Sequence, residues 1–281
     1  IIQLNFIHLT MILLQIDWNP APEIFKIGSF AIRYYSLMFV FAFMLGLFLM
    51  KKIFIEDRIS IEKLDSLFIY MVIAILIGAR LGHFLFYDPE FLIRKPLEVI
   101  LPFRFSPKFE FTGFAGLASH GAAIGAIIAM YYYSRKVLKK PLLFILDRVV
   151  IVSSIGGAFV RFGNLMNSEI IGKPTNSDFG FVFKRLGEDF PRHPAQLYES
   201  ICYVVIFAIL WFVYWKTDKK QKLGYLFGLY FALTFSARFV IEYFKEAQVE
   251  GREDWILGLN TGQVLSIPLI LIGLFFMFRK K

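Results

Sequence analysis

Residues 161–169, RFGNLMNSE, place a guanidinium, two carboxamides and a carboxylate within about two and a half helical turns. They close an apolar run over 142–162 and open a long polar connection. Guanidinium presents a planar fork of donors that matches a phosphate, and carboxamides orient such a ligand by hydrogen bonding. Hydrocarbon does not solvate groups of this kind, so polar residues at the edge of a membrane span are functional candidates by default. Arg161, Asn164, Asn167 and Glu169 are therefore the first candidates for chemistry.

The elements that carry them read as membrane helices. The chain has 281 residues, 57% hydrophobic with 34 Phe and a mean hydropathy of +0.61, too apolar for an ordinary soluble domain. Seven runs reach spanning length, at about 29–50, 65–86, 113–133, 142–162, 198–215, 223–244 and 262–278. They lack strict alternation, which favours helices over barrel strands. The expected fold is an all-α integral membrane protein of seven transmembrane helices. Residues 1–28 form an outer N-terminal arm, and 29–281 a single membrane domain. Outer loops cover 87–112, 163–197 and 245–261, the second of them long enough for a small head.

Basic clusters set the expected orientation. Lys51, Lys52, Arg58 and Lys63 follow the first span; Arg135, Lys136, Lys139 and Lys140 follow the third; Lys216, Lys219, Lys220 and Lys222 follow the fifth. Arg279, Lys280 and Lys281 close the chain. By the positive-inside rule these clusters are cytoplasmic, with the N-terminus outside and the C-terminus inside. The net charge of +9 is mostly this topogenic Lys and Arg, so no nucleic-acid partner is expected.

With that topology, further polar groups fall at one depth. Tyr35 in the first span, Arg80 and His83 in the second, His120 in the third, and Arg238 and Glu242 in the sixth join the 161–169 cluster. Five helices thus carry polar groups within roughly 10 Å of the outer boundary. Arg80, Arg161 and Arg238 outnumber the nearby carboxylates, chiefly Glu169 and Glu242, so the site fits an anion. At this depth the natural anion is a phospholipid head group. Gly121 and Gly125, beside His120, permit close helix packing.

Other classes fit less well. Cys202 is the only cysteine, and the four histidines have no zinc-ligand spacing, so no metal and no cofactor are expected. A transporter would place its polar groups near the midplane, and a retinal Schiff base needs a lysine in the last span, where 262–278 has none. The first methionine is Met11, so residues 1–10 read either as an upstream extension or as a trimmed start.

The run R161-F-G-N-L-M-N-S-E169 followed by Gly172 resembles the signature of the prolipoprotein diacylglyceryl transferase family. S119-H120-G121, R192-H-P-A-Q-L-Y-E199, R238-F-V-I-E242-Y-F-K-E, I32-R-Y-Y35-S-L-M and G78-A-R-L-G82 agree in order and spacing, from about residue 20 to the C-terminus. Val160, Leu165, Ala122, Ser36, Ala79 and Lys173 depart from the usual pattern but spare the chemical groups. The surroundings of Ser119-His120 and Lys245-Glu246 are similar to Bacteroidetes-like members.

The resemblance implies transfer of the diacylglyceryl group of phosphatidylglycerol to the lipobox cysteine of a preprolipoprotein at the bacterial inner membrane. The partners would be phosphatidylglycerol, preprolipoprotein signal peptides and membrane lipids. Arg161 and Arg238 would then stabilise the leaving phosphate, and His120 is the leading general base. A substrate-assisted route through an arginine is equally writable. Tyr35, Asn164 and Asn167 would orient the head group, with Arg80 in the same anion site, and Glu169 and Glu242 would hold the arginines. His193 and Tyr198 are weaker candidates for gating or anchoring.

Overall fold

A computed structural model describes residues 15–27, 30–105, 107–112, 116–246 and 256–280. Six of its helices are long and apolar enough to cross a bilayer: α1 (Tyr34–Glu56), α2 (Ile61–Tyr87), α6 (Leu142–Met166), α7 (Ala195–Lys216), α8 (Tyr225–Ile241, continued as a 3-10 turn to Phe244) and α9 (Thr261–Phe278). Many large apolar side chains on these helices face outward, such as Met44, Phe48, Phe212 and Phe275. Helices apolar on every side belong in lipid.

The expected third span differs. Its helix α5 (Ser119–Tyr133) has 15 residues and passes into a π-helical turn, Ser134–Leu138. At ~1.5 Å per residue, α5 covers about 22 Å, short of the ~30 Å hydrocarbon core. Residues 113–115 of that expected span lie outside the described residues. Two short helices, α3 (Pro89–Arg94) and α4 (Pro96–Ile100), fill the segment after α2, each with its proline in the first turn, where the missing N–H costs nothing. Outside the helices, described strands pair as three two-stranded sheets. β1 (Gln15–Trp18) runs parallel to β6 (Gly180–Phe183); β2 (Glu23–Ile27) with β3 (Phe30–Arg33), and β4 (Phe103–Arg104) with β5 (Glu110–Phe111), are antiparallel.

The chain divides into two compact units. In the first, residues 1–49 and 147–281, α8 and α9 meet at Gly228 and Gly273, where an added Cβ on Gly273 would lie 2.6 Å from the Ala232 nitrogen. The buried Asp147 carboxylate accepts the Gly224 and Phe227 amides at 2.7 and 2.8 Å, satisfying orphan donors at the N-terminus of α8. Trp18 donates to the Leu165 carbonyl at 2.8 Å and packs beside Leu165, Phe181 and Phe183, fixing the β1–β6 pair against the end of α6.

In the second unit, residues 50–146, α2 and α5 touch backbone to backbone. A Cβ added at Gly82 would lie 2.6 Å from Gly121 Cα, and one at Gly125 3.2 Å from Gly78 Cα. Removing side chains from the seam is what allows this approach, the small-residue packing expected at Gly121 and Gly125. Tyr133 ties the far end by donating to the Lys63 carbonyl at 2.8 Å.

Candidate active site

The 161–169 signature is the last stretch of α6 and its cap. Helix α6 runs one turn beyond the expected end, so Arg161 and Asn164 are helical residues. Ser168 then adopts φ 55°, and the Glu169 amide bonds back to the Asn164 carbonyl at 3.0 Å while that of Ser168 reaches Leu165 at 3.0 Å. This is a Schellman-type stop with serine in the left-handed position that glycine usually takes. The reversal folds Glu169 over its own helix, where it accepts from Asn164 Nδ2 at 3.3 Å and Asn167 Nδ2 at 3.2 Å. Gln196 of α7 holds the same turn, donating to the Glu169 carbonyl at 2.6 Å.

Glu169 was expected to hold an arginine; the carboxylate at Arg161 is instead Glu199. Glu199 Oε2 lies 2.6 Å from Arg161 Nε, an ion pair whose N–H does not point along the oxygen. Arg161 also donates to Asn164 Oδ1 at 3.3 Å and shares a hydrogen bond with Tyr203, one turn beyond Glu199 on α7. Glu242 pairs with Arg238 as expected, at 3.3 Å. Between the two pairs lies Lys245. Its ammonium donates to Glu199 Oε1 at 3.2 Å and Glu242 Oε1 at 3.1 Å, and its side chain is 2% exposed. Arg161, Glu199, Lys245, Glu242 and Arg238 thus form one continuous chain of alternating charge across α6, α7 and the end of α8.

Close packing fixes the flanks of this chain. Tyr35 lies over Gly163, where an added Cβ would sit 2.8 Å from its ring, and its hydroxyl shares a hydrogen bond with Asn164. The Glu242 carboxylate lies over Gly262 at the start of α9, closer than any Cβ there would allow. Asn260, which caps α9 in a full capping box with Gln263, also donates to the Glu242 carbonyl at 3.1 Å.

Around the site, Arg192 binds Glu188 and Glu246, each at 2.7 Å, and the Gly172 carbonyl at 3.1 Å. Burial alone would lower the Arg192 guanidinium, but the two carboxylates outweigh it and hold its pKa above the usual value. His193 stands 3.2 Å from the Tyr198 hydroxyl and packs against Phe244, and burial pushes its pKa down. These two residues anchor the connection between α6 and α7 to α7 itself and to the end of α8.

In the second unit, Arg80 is buried and donates to the Glu98 and Val99 carbonyls at 2.6 and 2.9 Å, with Phe84 stacked at 4.9 Å. It satisfies carbonyls at the end of α4. His120 is exposed in the first turn of α5, next to the glycine seam. Arg80 and His120 both belong to the second unit, and the arginine chain belongs to the first.

Glu199, Tyr203 and Lys245 escaped the sequence reading as site residues. Glu199 carried a usable signal, a carboxylate inside an apolar span with Tyr203 four residues on along the same face. Lys245 stands in the sequence as part of the Arg238–Glu246 match, and nothing local marks it as buried.

A family model described as prolipoprotein diacylglyceryl transferase matches residues 22–279. The chain belongs to this family. It is 43% identical over 269 residues to phosphatidylglycerol–prolipoprotein diacylglyceryl transferase of Bacteroides fragilis, covering 95% of this chain and 96% of the relative. The Chloroherpeton thalassium relative of the same name is 40% identical, with 94% of each chain covered. That of Tolumonas auensis is 38% identical over 92% of this chain and 95% of its own. Membership in the family makes the chain a transferase of lipoprotein biosynthesis and a multi-pass membrane protein.

Proposed function

We propose that the Arg161–Glu199–Lys245–Glu242–Arg238 chain is the phosphate site for the family's reaction. That reaction transfers the diacylglyceryl group of phosphatidylglycerol to the lipobox cysteine of a preprolipoprotein. The thiol sulfur attacks the glyceryl carbon that bears the phosphate. A C–S bond forms, the C–O bond to phosphate breaks with its electron pair on oxygen, and glycerol phosphate leaves. The thiol proton passes to a base.

The observation that carries this reading is the placement of two guanidiniums at the ends of one buried charge chain. Each is held at Nε by a carboxylate, Glu199 or Glu242. The neighbouring carboxylates limit how far each guanidinium can swing, and preorganised donors of this kind stabilise charge as it develops on a leaving phosphate. Asn164, Asn167 and Tyr35 orient the head group, and Glu169 holds both amides in register. His120 takes the thiol proton; it is exposed in the first turn of α5, and imidazole is the side chain most often used as a general base. Arg80 supports the segment after α2, since its guanidinium serves the Glu98 and Val99 carbonyls there. His193 and Tyr198 anchor the head.

In the same reading α5 and its π turn complete a seven-span domain over 29–281. The N-terminus and the arm 1–28 lie outside with the loops 87–112, 163–197 and 245–261, and the C-terminus is cytoplasmic. The site opens to the outer leaflet of the inner membrane, where phosphatidylglycerol and a signal-peptide helix both arrive through lipid. Basic clusters alternating with the spans support this orientation. The test is incubation of purified protein with phosphatidylglycerol and a lipobox peptide. A thioether-linked mass on the peptide is the expected product; lipid movement without an adduct would overturn the reading.

A further inference from the structure

Lysine is almost never fully buried unless paired, and Lys245 is 2% exposed with two carboxylates at its ammonium. Neither carboxylate is its own. Glu199 turns Oε2 to Arg161 and Oε1 to Lys245, and Glu242 offers the same Oε1 to Arg238 and to Lys245. Without the ammonium, Glu199 and Glu242 would stand as two like charges in a buried space, each with one guanidinium to neutralise it. With it, part of each carboxylate is drawn away from its arginine.

We infer that Lys245 is a positioning residue that sets the charge of the anion site. Within the five-membered chain, three cations face two carboxylates, a balance of +1. That balance equals the single negative charge of a phosphodiester. Removing the ammonium would leave two guanidiniums and two carboxylates, a neutral chain whose arginines are fully answered by protein. Lys245 touches no substrate in this scheme; it acts by keeping Arg161 and Arg238 underneutralised. The inference rests on the phosphate-site reading above. It adds that a residue beyond the sixth span, outside the signature, governs affinity for the head group.

The test measures binding of radiolabelled glycerol phosphate to the full chain in detergent micelles, together with the KM and kcat for phosphatidylglycerol. Lys245→Met should weaken glycerol phosphate roughly tenfold or more and raise KM more than it lowers kcat. Lys245→Arg should retain wild-type binding. The double variant Lys245→Met with Glu242→Gln restores two cations over one carboxylate, again +1, and should bind more tightly than Lys245→Met alone. It also removes one of the two like charges that would face each other without the ammonium. If the single variant fails to fold, the double variant is therefore compared with wild type, and binding within a few-fold of wild type is the expected result. Wild-type binding by Lys245→Met, or a double variant weaker than the single one, would overturn the inference and leave Lys245 an anchor of the fold. Arg238→Ala is the separate control. If it binds glycerol phosphate as the wild type does, the phosphate-site reading itself fails, whatever Lys245 does.

Discussion

Arg161 and Glu199 stand 2.6 Å apart, Nε to Oε2, across the α6–α7 interface, with Glu199 3% exposed. The pair joins the signature run to a helix that carries no part of that run. Its consequence is that the signature arginine depends on a residue outside its own motif. Replacing Glu199 with Ala would leave Arg161 and Lys245 short of a counter-charge. The expected cost is about 3–5 kcal/mol of stability, the usual effect of removing one partner from a buried pair. Thermal unfolding in detergent checks it, and a midpoint equal to wild type would contradict the pairing.

Arg161→Ala and Arg238→Ala should each cut transfer by about 10²-fold or more, the scale of losing one preorganised donor to a developing anion. Membrane insertion should stay intact. Near-normal turnover of a lipobox peptide by either variant would remove that arginine from the phosphate site.

Gly262→Ala tests the packing under Glu242. The new methyl group would occupy the space of the Glu242 carboxylate, forcing it away from Arg238 and Lys245. Transfer should drop by roughly tenfold to a hundredfold, the loss of about 1.4–2.8 kcal/mol. Gly46→Ala is the matched control, because its Cβ would meet only Val152 at an ordinary 4.0 Å. If both variants behave alike, the close approach at Gly262 has no role.

His120→Asn should slow transfer most at neutral pH and least at alkaline pH, where the substrate thiol ionises unaided (a free thiol titrates near pH 8.5). A rate deficit independent of pH would assign the proton to another group.

His193 yields a stability prediction of definite sign. Burial lowers its folded pKa below the ordinary 6.5, so the unfolded chain binds more protons as pH falls through that value. Stability is therefore complete above about pH 6.5 and is lost progressively on acidification, until pH passes below the folded pKa. Melting curves of wild type and His193→Phe between pH 7.5 and 5, values chosen to bracket about 6.5, should diverge with the wild type steeper. Parallel curves would mean that His193 does not contribute.

The helices were legible in the sequence because lipid demands length and apolarity, and both are written locally. The Arg238–Glu242 pair was legible because it lies at i and i+4 on one helix. The partner of Arg161 was not: Glu169 is nearest in sequence, yet the left-handed turn at Ser168 sends it to two asparagines. Residues on α7 and beyond α8 meet Arg161 only through helix packing, which no local pattern encodes. Arg80 shows the same limit. Its place near the end of α2 is readable, but its engagement by the Glu98 and Val99 carbonyls follows from how the segment after α2 folds back. The short α5 escaped because its apolar run continues upstream of the helix that forms.

Where α2 and α5 meet through Gly78, Gly82, Gly121 and Gly125, no layer of side chains separates the two backbones. A side-chain layer acts as a cushion and lets helices slide by fractions of an ångström. Bare backbones mesh like gear teeth, and the next comparable fit lies a residue or more away, at least ~1.5 Å along the axis. The height of His120 along α2 is therefore set in steps rather than continuously. Within its own unit, the candidate base is indexed to a ratchet tooth, and a substrate must come to it.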